Sequence, residues 1–319
     1  MSRFFRHCIL GATAYPTTFS MNFSFPLCNR QYFSAIVLLV SGFLLLSQNS
    51  GSGQTVFSQN FSGGTNVSDY VGSGANLFDA ISTANSTNLS WSISSGTLQG
   101  VRSANSGGAV TRTTDLATSL GAIYRFDINV VDITTAATST LAFYVGSAFT
   151  TTTSAPSLTD VHSRFGINFI DATANSFVFC DIGGGTNGPT TFAGTASAFF
   201  VVNNTGSTFT YTAPNNTTQT VANDKWDLWV NATQQFNEIG AQTAAISPTD
   251  FKLQYGLNDG RGTIQLVNFS IVAIPEPGTW VPGALALGAL GLTQRRRVRG
   301  LLRRAGAGSG HSIHNRFRT

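Results

Sequence analysis

Residues that could do chemistry are sparse in the central part of this chain, residues 54–280. His162 is its only histidine and Cys180 its only cysteine. Apart from Glu276, it holds one glutamate, Glu238. A histidine-based metal site needs further ligands, and glycoside hydrolysis usually needs two carboxylates that flank the bond. We therefore expect no catalytic residue, no metal and no cofactor, although calcium held by loop carbonyls and aspartates is left open.

Two tryptophans and the cysteine lie in apolar runs of this region. Trp226 and Trp229 are three residues apart, so on a strand they would face opposite sides. One ring would enter the core, and the other could lie exposed and stack on the apolar face of a sugar. Packing of both rings within the fold is the alternative. Cys180 is predicted to be a small buried side chain rather than a reactive thiol.

Two glycine-containing motifs are typical of turns rather than of ligand loops. Gly183-Gly-Gly185 follows Asp181 but lacks the Gly-Lys-Ser/Thr sequence of a phosphate-binding loop. Asn258-Asp-Gly260 lacks the spaced acidic ligands of a calcium-binding loop and predicts a hairpin turn instead.

The charges of the chain are divided unevenly between its middle and its ends. The formal net charge is +4, but residues 54–280 hold seven basic and all 14 acidic residues, a net charge of −7. Residues 1–53 and 281–319 contain three and eight basic residues, and no acidic ones. Because the positive charge lies outside the predicted folded region, no nucleic-acid partner is expected.

The central region predicts β-strands separated by turns. Residues 122–130 show the pattern clearly, since large apolar residues alternate there with mostly polar ones. Turn signals such as Asn187-Gly-Pro189 separate the strands. The spacing predicts an all-β fold, a single β-sandwich or jelly roll over residues 54–274, in which the first and last strands pair. The other predicted strands are residues 55–61, 140–145, 164–170, 176–181, 198–202, 207–212, 225–231, 250–255 and 262–274.

The amino-terminal segment, residues 1–53, has the pattern of a secretory signal peptide. Arg30 precedes an apolar run, residues 35–46, and small polar residues follow it. The run is short for a membrane span, which needs about 20 residues. We expect an amino-terminal signal helix that the Sec translocon recognises, and translation could begin at Met21.

The carboxyl-terminal segment combines three patterns in order. Two prolines end the last strand, since proline donates no hydrogen bond to a neighbouring strand. An apolar run, residues 281–292, predicts a short transmembrane helix. A basic cluster then predicts a cytoplasmic end, which places residues 54–280 outside the cytoplasm. The residues that carry these patterns are Pro275, Glu276 and Pro277, and then Arg295, Arg296, Arg297 and Arg299.

In the order and spacing of these parts, residues 275–299 resemble the sorting signal of PEP-CTERM proteins, which are exported bacterial proteins. The resemblance implies that an exosortase-type transpeptidase recognises Pro275, Glu276 and Pro277 and cuts at or near them. It also implies transient residence in the inner membrane, followed by delivery to the cell surface, the outer membrane or the extracellular matrix. Typical signals end soon after the arginines, whereas a basic tail continues here through residues 300–319, and we expect it to be disordered.

Residues 54–274 also resemble, more loosely, concanavalin-A-like and laminin-G-like sandwiches. The similar pieces are residues 56–63, 89–93 and 225–230 and the closing strand around Asn268. The sequence therefore predicts an exported, non-enzymatic protein of the cell surface or extracellular matrix, associated with exopolysaccharide. Two alternatives stay open, a lectin-like carbohydrate-binding module and a polysaccharide-active enzyme such as a glycoside hydrolase or lyase.

Overall fold

The computed structural model describes residues 53–116, 120–244 and 246–274. These residues form 16 β-strands and two short 3₁₀ helices, Val67–Tyr70 and Leu158–Asp160, so the predicted all-β sandwich is confirmed. Within the same ranges, the structure contains no helix with the length and apolar character of a membrane span. The predicted signal helix, the Pro275–Pro277 motif, the transmembrane helix and the arginine cluster lie outside the described residues.

The strands form a front sheet and a back sheet. The front sheet contains, in spatial order, β2 (Ala80–Thr83), β5 (Gly108–Arg112), β15 (Asp250–Tyr255), β7 (Ala137–Gly146), β8 (Val161–Asp171) and β9 (Ser176–Asp181). The back sheet contains β3 (Leu89–Ser94), β4 (Thr97–Arg102), β16 (Arg261–Ala273), β6 (Gly121–Thr135), β10 (Thr186–Asn203), β13 (Lys225–Val230) and β14 (Thr233–Gly240). In addition, β1 (Gln54–Gln59) pairs with β16, and β11 (Phe209–Thr212) forms a hairpin with β12 (Thr218–Val221).

Strand β10 joins the two sheets. Its first part pairs with β9 as far as Ala193, and its second part pairs with β6 from Gly194 onward. The register shifts between Asn187 and Thr191, around Pro189. The turn predicted at this segment is therefore wrong: the segment lies inside the strand, where an irregularity in the pairing accommodates a proline that cannot donate.

An aromatic core lies between the two sheets. The ring of Phe143 on β7 lies 5.3 Å from that of Phe126 on β6, and Phe165 on β8 lies 5.0 Å from Phe200 on β10. Strand β6 contributes alternate residues to this core, as the period of two predicts. These residues are Tyr124, Phe126, Ile128 and Val130.

The first and last strands pair, as the sequence predicts. Gln54 lies opposite Ala273, and Gln59 lies opposite Phe269. The other edge of β16 pairs with β6. The pairing covers an edge of β16 that would otherwise leave backbone groups without partners.

A buried arginine organises the connection between β15 and β16. Arg102 is 1% exposed, and its Nη1 donates to the carbonyls of Asn258, at 2.6 Å, and Gly260. Because β15 belongs to the front sheet and β16 to the back sheet, residues 258–260 link the two sheets. The hairpin predicted from Asn258-Asp-Gly260 is therefore wrong, although a turn does lie there.

Candidate functional site

The outer face of the front sheet carries a row of polar side chains. In the row, Thr111, Lys252, Tyr144 and Arg164 lie opposite one another on β5, β15, β7 and β8. The cross-strand row beside it belongs to the core. Because neighbours along a strand face opposite sides, the polar row faces away from the core. The core row consists of Val110, Leu253, Phe143 and Phe165.

An open depression of about 220 Å³ lies at the Arg164 end of the polar row. It is bounded by the turn that follows β9 and by the chain that leaves β14. The polar side chains that line it are Arg164, Asp181 and Gln242. Gly183 and Gly184 also line it, so the backbone there is accessible to a bound molecule.

The triple-glycine turn holds the Asp181 carboxylate at this rim. The Gly183 N–H donates to Asp181 Oδ1 at 2.9 Å, and the Gly185 N–H donates to the Asp181 main-chain carbonyl at 2.8 Å. A Cβ on Gly184 would collide with Asp181 Oδ2. Gly185 has a φ of 68°, which glycine adopts without strain. The turn predicted at Gly183-Gly-Gly185 is confirmed, and it connects β9 to β10.

Three polar side chains converge on the space beside Gly183. A Cβ built on Gly183 would lie 3.3 Å from Asp181 Oδ1. The same point lies 3.8 Å from Gln242 Oε1 and 3.9 Å from Arg164 Nη2. Arg164 Nη2 donates to Gln242 Oε1 at 2.8 Å, whereas Arg164 Nε is buried without a hydrogen-bond partner among the described residues. The depression thus presents donors and acceptors to one small space.

His162 lies behind this end of the row and supports it through its backbone. The His162 carbonyl accepts from the Gln242 N–H at 2.7 Å. The imidazole is 0% exposed, with Nδ1 2.7 Å from Ser163 Oγ and Nε2 3.7 Å from Asp224 Oδ1. Burial lowers the pKa of His162 to about 4, so the ring is neutral at pH 7. It does not line the depression.

The two tryptophans face opposite sides of β13, as predicted. Trp226 packs in the main core, and its ring lies 5.4 Å from Phe200. Trp229 lies in a second apolar cluster under the β11–β12 hairpin, where its Nε1 donates to Tyr211 Oη at 2.9 Å. They are only 1% and 3% exposed, so both rings pack within the fold, which is the second of the two predicted alternatives; Trp226 nevertheless lies at the wall of the depression. The hairpin covers one ring, and the opposing sheet covers the other.

Cys180 is buried, as predicted. It is 4% exposed, and its thiol donates to Asn168 Oδ1 at 3.2 Å. Burial raises the pKa of Cys180 to about 11, which keeps the group protonated and unreactive at neutral pH. Across residues 53–116, 120–244 and 246–274, no three His, Cys, Asp or Glu side chains form a group that could hold a metal ion.

Comparison with known proteins finds similarity in fold and none in sequence. No family model matches the chain, and no curated protein matches it. A Bacillus subtilis protein of unknown function with a galectin-like fold is similar in structure, with a TM-score of 0.41 and 8% identity over 69% of this chain and 96% of that one. A carbohydrate esterase from the Shiga toxin-encoding bacteriophage phi24B gives a TM-score of 0.42 and 10% identity over 70% of this chain and all of that one.

A carbohydrate recognition domain of Emp46p is similar to the same degree. Its TM-score is 0.41, with 8% identity over 72% of this chain and all of that one. These likenesses concern the arrangement of strands, and the side chains of this chain decide what it can bind.

Sequence reasoning missed the polar side chains of the depression, although it singled out Trp226, which also lines it. Arg164 and Asp181 lie at the start and end of predicted strands, and Gln242 lies in a polar stretch without a motif. The available signal was the triple glycine after Asp181, which requires a tight turn and leaves the backbone accessible.

Proposed function

We propose that this chain is an exported, non-enzymatic protein of the cell surface or extracellular matrix, whose β-sandwich binds polysaccharide in the depression at Arg164. The observation that carries the proposal is the convergence of Arg164, Asp181 and Gln242 on one open space beside Gly183. A binding site of this kind needs a few well-placed polar groups and an accessible backbone.

The three side chains match the hydrogen-bonding capacity of neighbouring sugar hydroxyls. The Arg164 guanidinium donates, the Asp181 carboxylate accepts, and the Gln242 amide can do both. A hydroxyl group donates one hydrogen bond and accepts others, so two adjacent hydroxyls can use all three side chains. Gly183 and Gly184 leave room for the sugar ring to approach. Binding in this proposal uses the side chains of the protein and no cofactor.

The number of carboxylates in the depression supports binding without catalysis. Asp181 is the one carboxylate among the described residues that line it. Hydrolysis of a glycosidic bond usually requires two carboxylates on either side of that bond. We therefore place this chain among proteins that hold polysaccharide rather than among those that cleave it.

Replacing Arg164 with methionine should weaken glycan binding about tenfold or more, because a charge-assisted donor is lost from the depression. The measurement is binding of the full chain to an array of neutral and acidic glycans, followed by affinities for the glycans that bind. Arg125→Met is a matched control, since Arg125 is an exposed arginine on the back sheet. Absence of glycan binding by the wild type, or equal binding by both variants, would contradict the proposal.

Delivery to the surface is the second part of the proposal. The support is the order of the proline-containing motif, the apolar run and the arginine cluster in residues 275–299. The Sec translocon would export the chain, and an exosortase-type transpeptidase would then cut near Glu276. The inner membrane is a transient location in this scheme.

Changing Pro275 and Glu276 together to alanine should trap the protein in the inner membrane, because the transpeptidase loses its recognition motif. Mass spectrometry of membrane and secreted fractions measures this, and the secreted wild type should lack residues 281–319. A secreted form with an intact carboxyl terminus, or unchanged export of the double variant, would count against sorting by this segment.

A further inference from the structure

A segment between β7 and β8 covers the part of the polar row that lies away from the depression. We call residues 150–156 the strap. Its residues are exposed or half-buried, so it contributes no buried apolar side chain. The residue before it, Phe149, is 6% exposed and packs with Ala142, Tyr144 and Val161. The strap is therefore anchored at Phe149 but is not itself part of a core.

Side chains of the front sheet hold the strap by its main-chain carbonyls. Lys252 Nζ donates to the carbonyls of Thr150, at 3.0 Å, and Ser154, at 2.9 Å. Gln254 Nε2 donates to the carbonyl of Thr153 at 2.8 Å. Each of these donors could serve an oxygen atom of a ligand equally well. Displacing the strap breaks these hydrogen bonds, which ligand oxygen atoms at the same positions would replace, and it loses few apolar contacts.

The polar atoms beneath the strap are incompletely paired. Lys252, Gln254 and Thr111 are 0%, 5% and 0% exposed. Among the described residues, Thr111 Oγ1 and Gln254 Oε1 have no hydrogen-bond partner, and no carboxylate forms an ion pair with Lys252. Buried polar groups are normally satisfied, so a partly satisfied cluster points to an occupant that would complete it.

We propose that Lys252, Gln254 and Thr111 form a binding site for a uronic acid residue of an acidic polysaccharide, which reaches the site by displacing the strap. An ammonium group binds a carboxylate more strongly than a neutral carbonyl, because both partners are then charged. Gln254 Oε1 and Thr111 Oγ1 would accept hydrogen bonds from hydroxyls of the same sugar. Burial lowers the pKa of Lys252 to about 8, so the group stays mainly charged at pH 7.

The site deepens the proposed function and rests on it, since it names the class of polysaccharide. Lys252 and Arg164 stand in one cross-strand row, with Tyr144 between them. Two strand spacings separate them, about 10 Å. A single oligosaccharide lying along the row could therefore contact both ends, with one sugar at Arg164 and a uronate at Lys252.

The first test measures the affinity of the full chain for hexagalacturonate and for cellohexaose by calorimetry at pH 7. Lys252→Met should lower the affinity for hexagalacturonate about tenfold or more, while cellohexaose binding stays within about twofold. Arg125→Met, which removes a positive charge from the back sheet, should change neither affinity. Equal hexagalacturonate affinity in wild type and Lys252→Met would overturn the proposal.

The second test locks the strap without touching the site. A Cβ on Gly107 would lie 3.5 Å from Thr153 Cβ, which is within the range for a disulfide. The Gly107→Cys, Thr153→Cys double variant should lose hexagalacturonate binding when oxidised and recover it after reduction. Cys180 is buried and should not compete. Unchanged hexagalacturonate binding by the oxidised variant would show that the strap does not close the site.

The outcomes separate this site from the proposed function. Glycan binding that depends on Arg164 but not on Lys252 or the strap would leave the proposed function standing and reject the covered site. A wild type that binds cellohexaose but not hexagalacturonate would also reject it. Binding of neither hexasaccharide by the wild type would reject the covered site, and absence of binding to every glycan of the array would reject the proposed function as well.

Discussion

Replacing Arg102 with methionine should lower the free energy of unfolding by about 3–5 kcal/mol. The guanidinium is almost fully buried, and Nε donates to the Ser106 carbonyl at 2.8 Å in addition to the bonds with Asn258 and Gly260. Nη2 donates to Asn105 Oδ1 at 2.7 Å. Methionine fills much of the same space but donates nothing, so the carbonyls of Ser106, Asn258 and Gly260 lose their partner. Denaturant unfolding measures the loss.

The control for this prediction is Arg261→Met. Arg261 pairs with Asp259 at 2.6 Å, but the two side chains are 34% and 46% exposed. An exposed ion pair contributes little, so this variant should change stability by less than about 1 kcal/mol. Equal effects of the two substitutions would mean that Arg102 does not hold the connection between the sheets.

The pH dependence of stability between pH 4 and pH 6 should contain two opposing contributions, from the buried groups His162 and Asp250. Burial lowers the pKa of His162 to about 4, below its usual 6.5. Its contribution to the free energy of unfolding is therefore present above pH 6.5 and is lost as the pH falls toward 4. Burial raises the pKa of Asp250 from 3.8 to about 6. Its contribution to the free energy of unfolding is therefore present below pH 3.8 and is lost as the pH rises toward 6.

Single variants should reveal the two opposing slopes. In Asp250→Asn, the slope of the free energy of unfolding against pH between pH 4 and 6 should be more positive than in the wild type by up to about 1.4 kcal/mol per pH unit, since the opposing contribution of Asp250 is removed. In His162→Gln the slope should be more negative than in the wild type by a similar amount over the same range. Denaturant unfolding at several pH values measures both slopes. Parallel curves for wild type and both variants would show that neither group titrates as its burial requires.

Much of the fold could be predicted because its core strands alternate strictly. Strand β6 places Tyr124 and Phe126 inward and Arg125 outward, and that pattern can be read from the sequence. Strand β14 was missed because it lies at the edge of the back sheet, and most of its residues are polar. The length of β10 was also missed, since Pro189 indicates a break, whereas the paired strand β9 holds the segment extended.

The sites were harder to predict, because they depend on pairing between distant strands. Lys252 and Thr111 are 141 positions apart in the chain, yet they lie opposite each other in the front sheet. No local motif marks either residue. The sequence left two alternatives for the tryptophans for the same reason, since the hairpin that covers Trp229 is recognisable only once the sheets are assembled.

The pairing of β1 with β16 also decides how the domain would respond to mechanical load. Gln54 lies opposite Ala273, so the incoming and outgoing chain leave the sandwich side by side. Tension between these two points would open the β1–β16 hydrogen bonds one at a time, which requires little force. Tension between residue 274 and a ligand held on the front sheet would instead load β16 along its length, against β6 on one edge and β1 and β4 on the other. A sandwich tethered only at its carboxyl end would therefore withstand stronger pulling than one held at both ends.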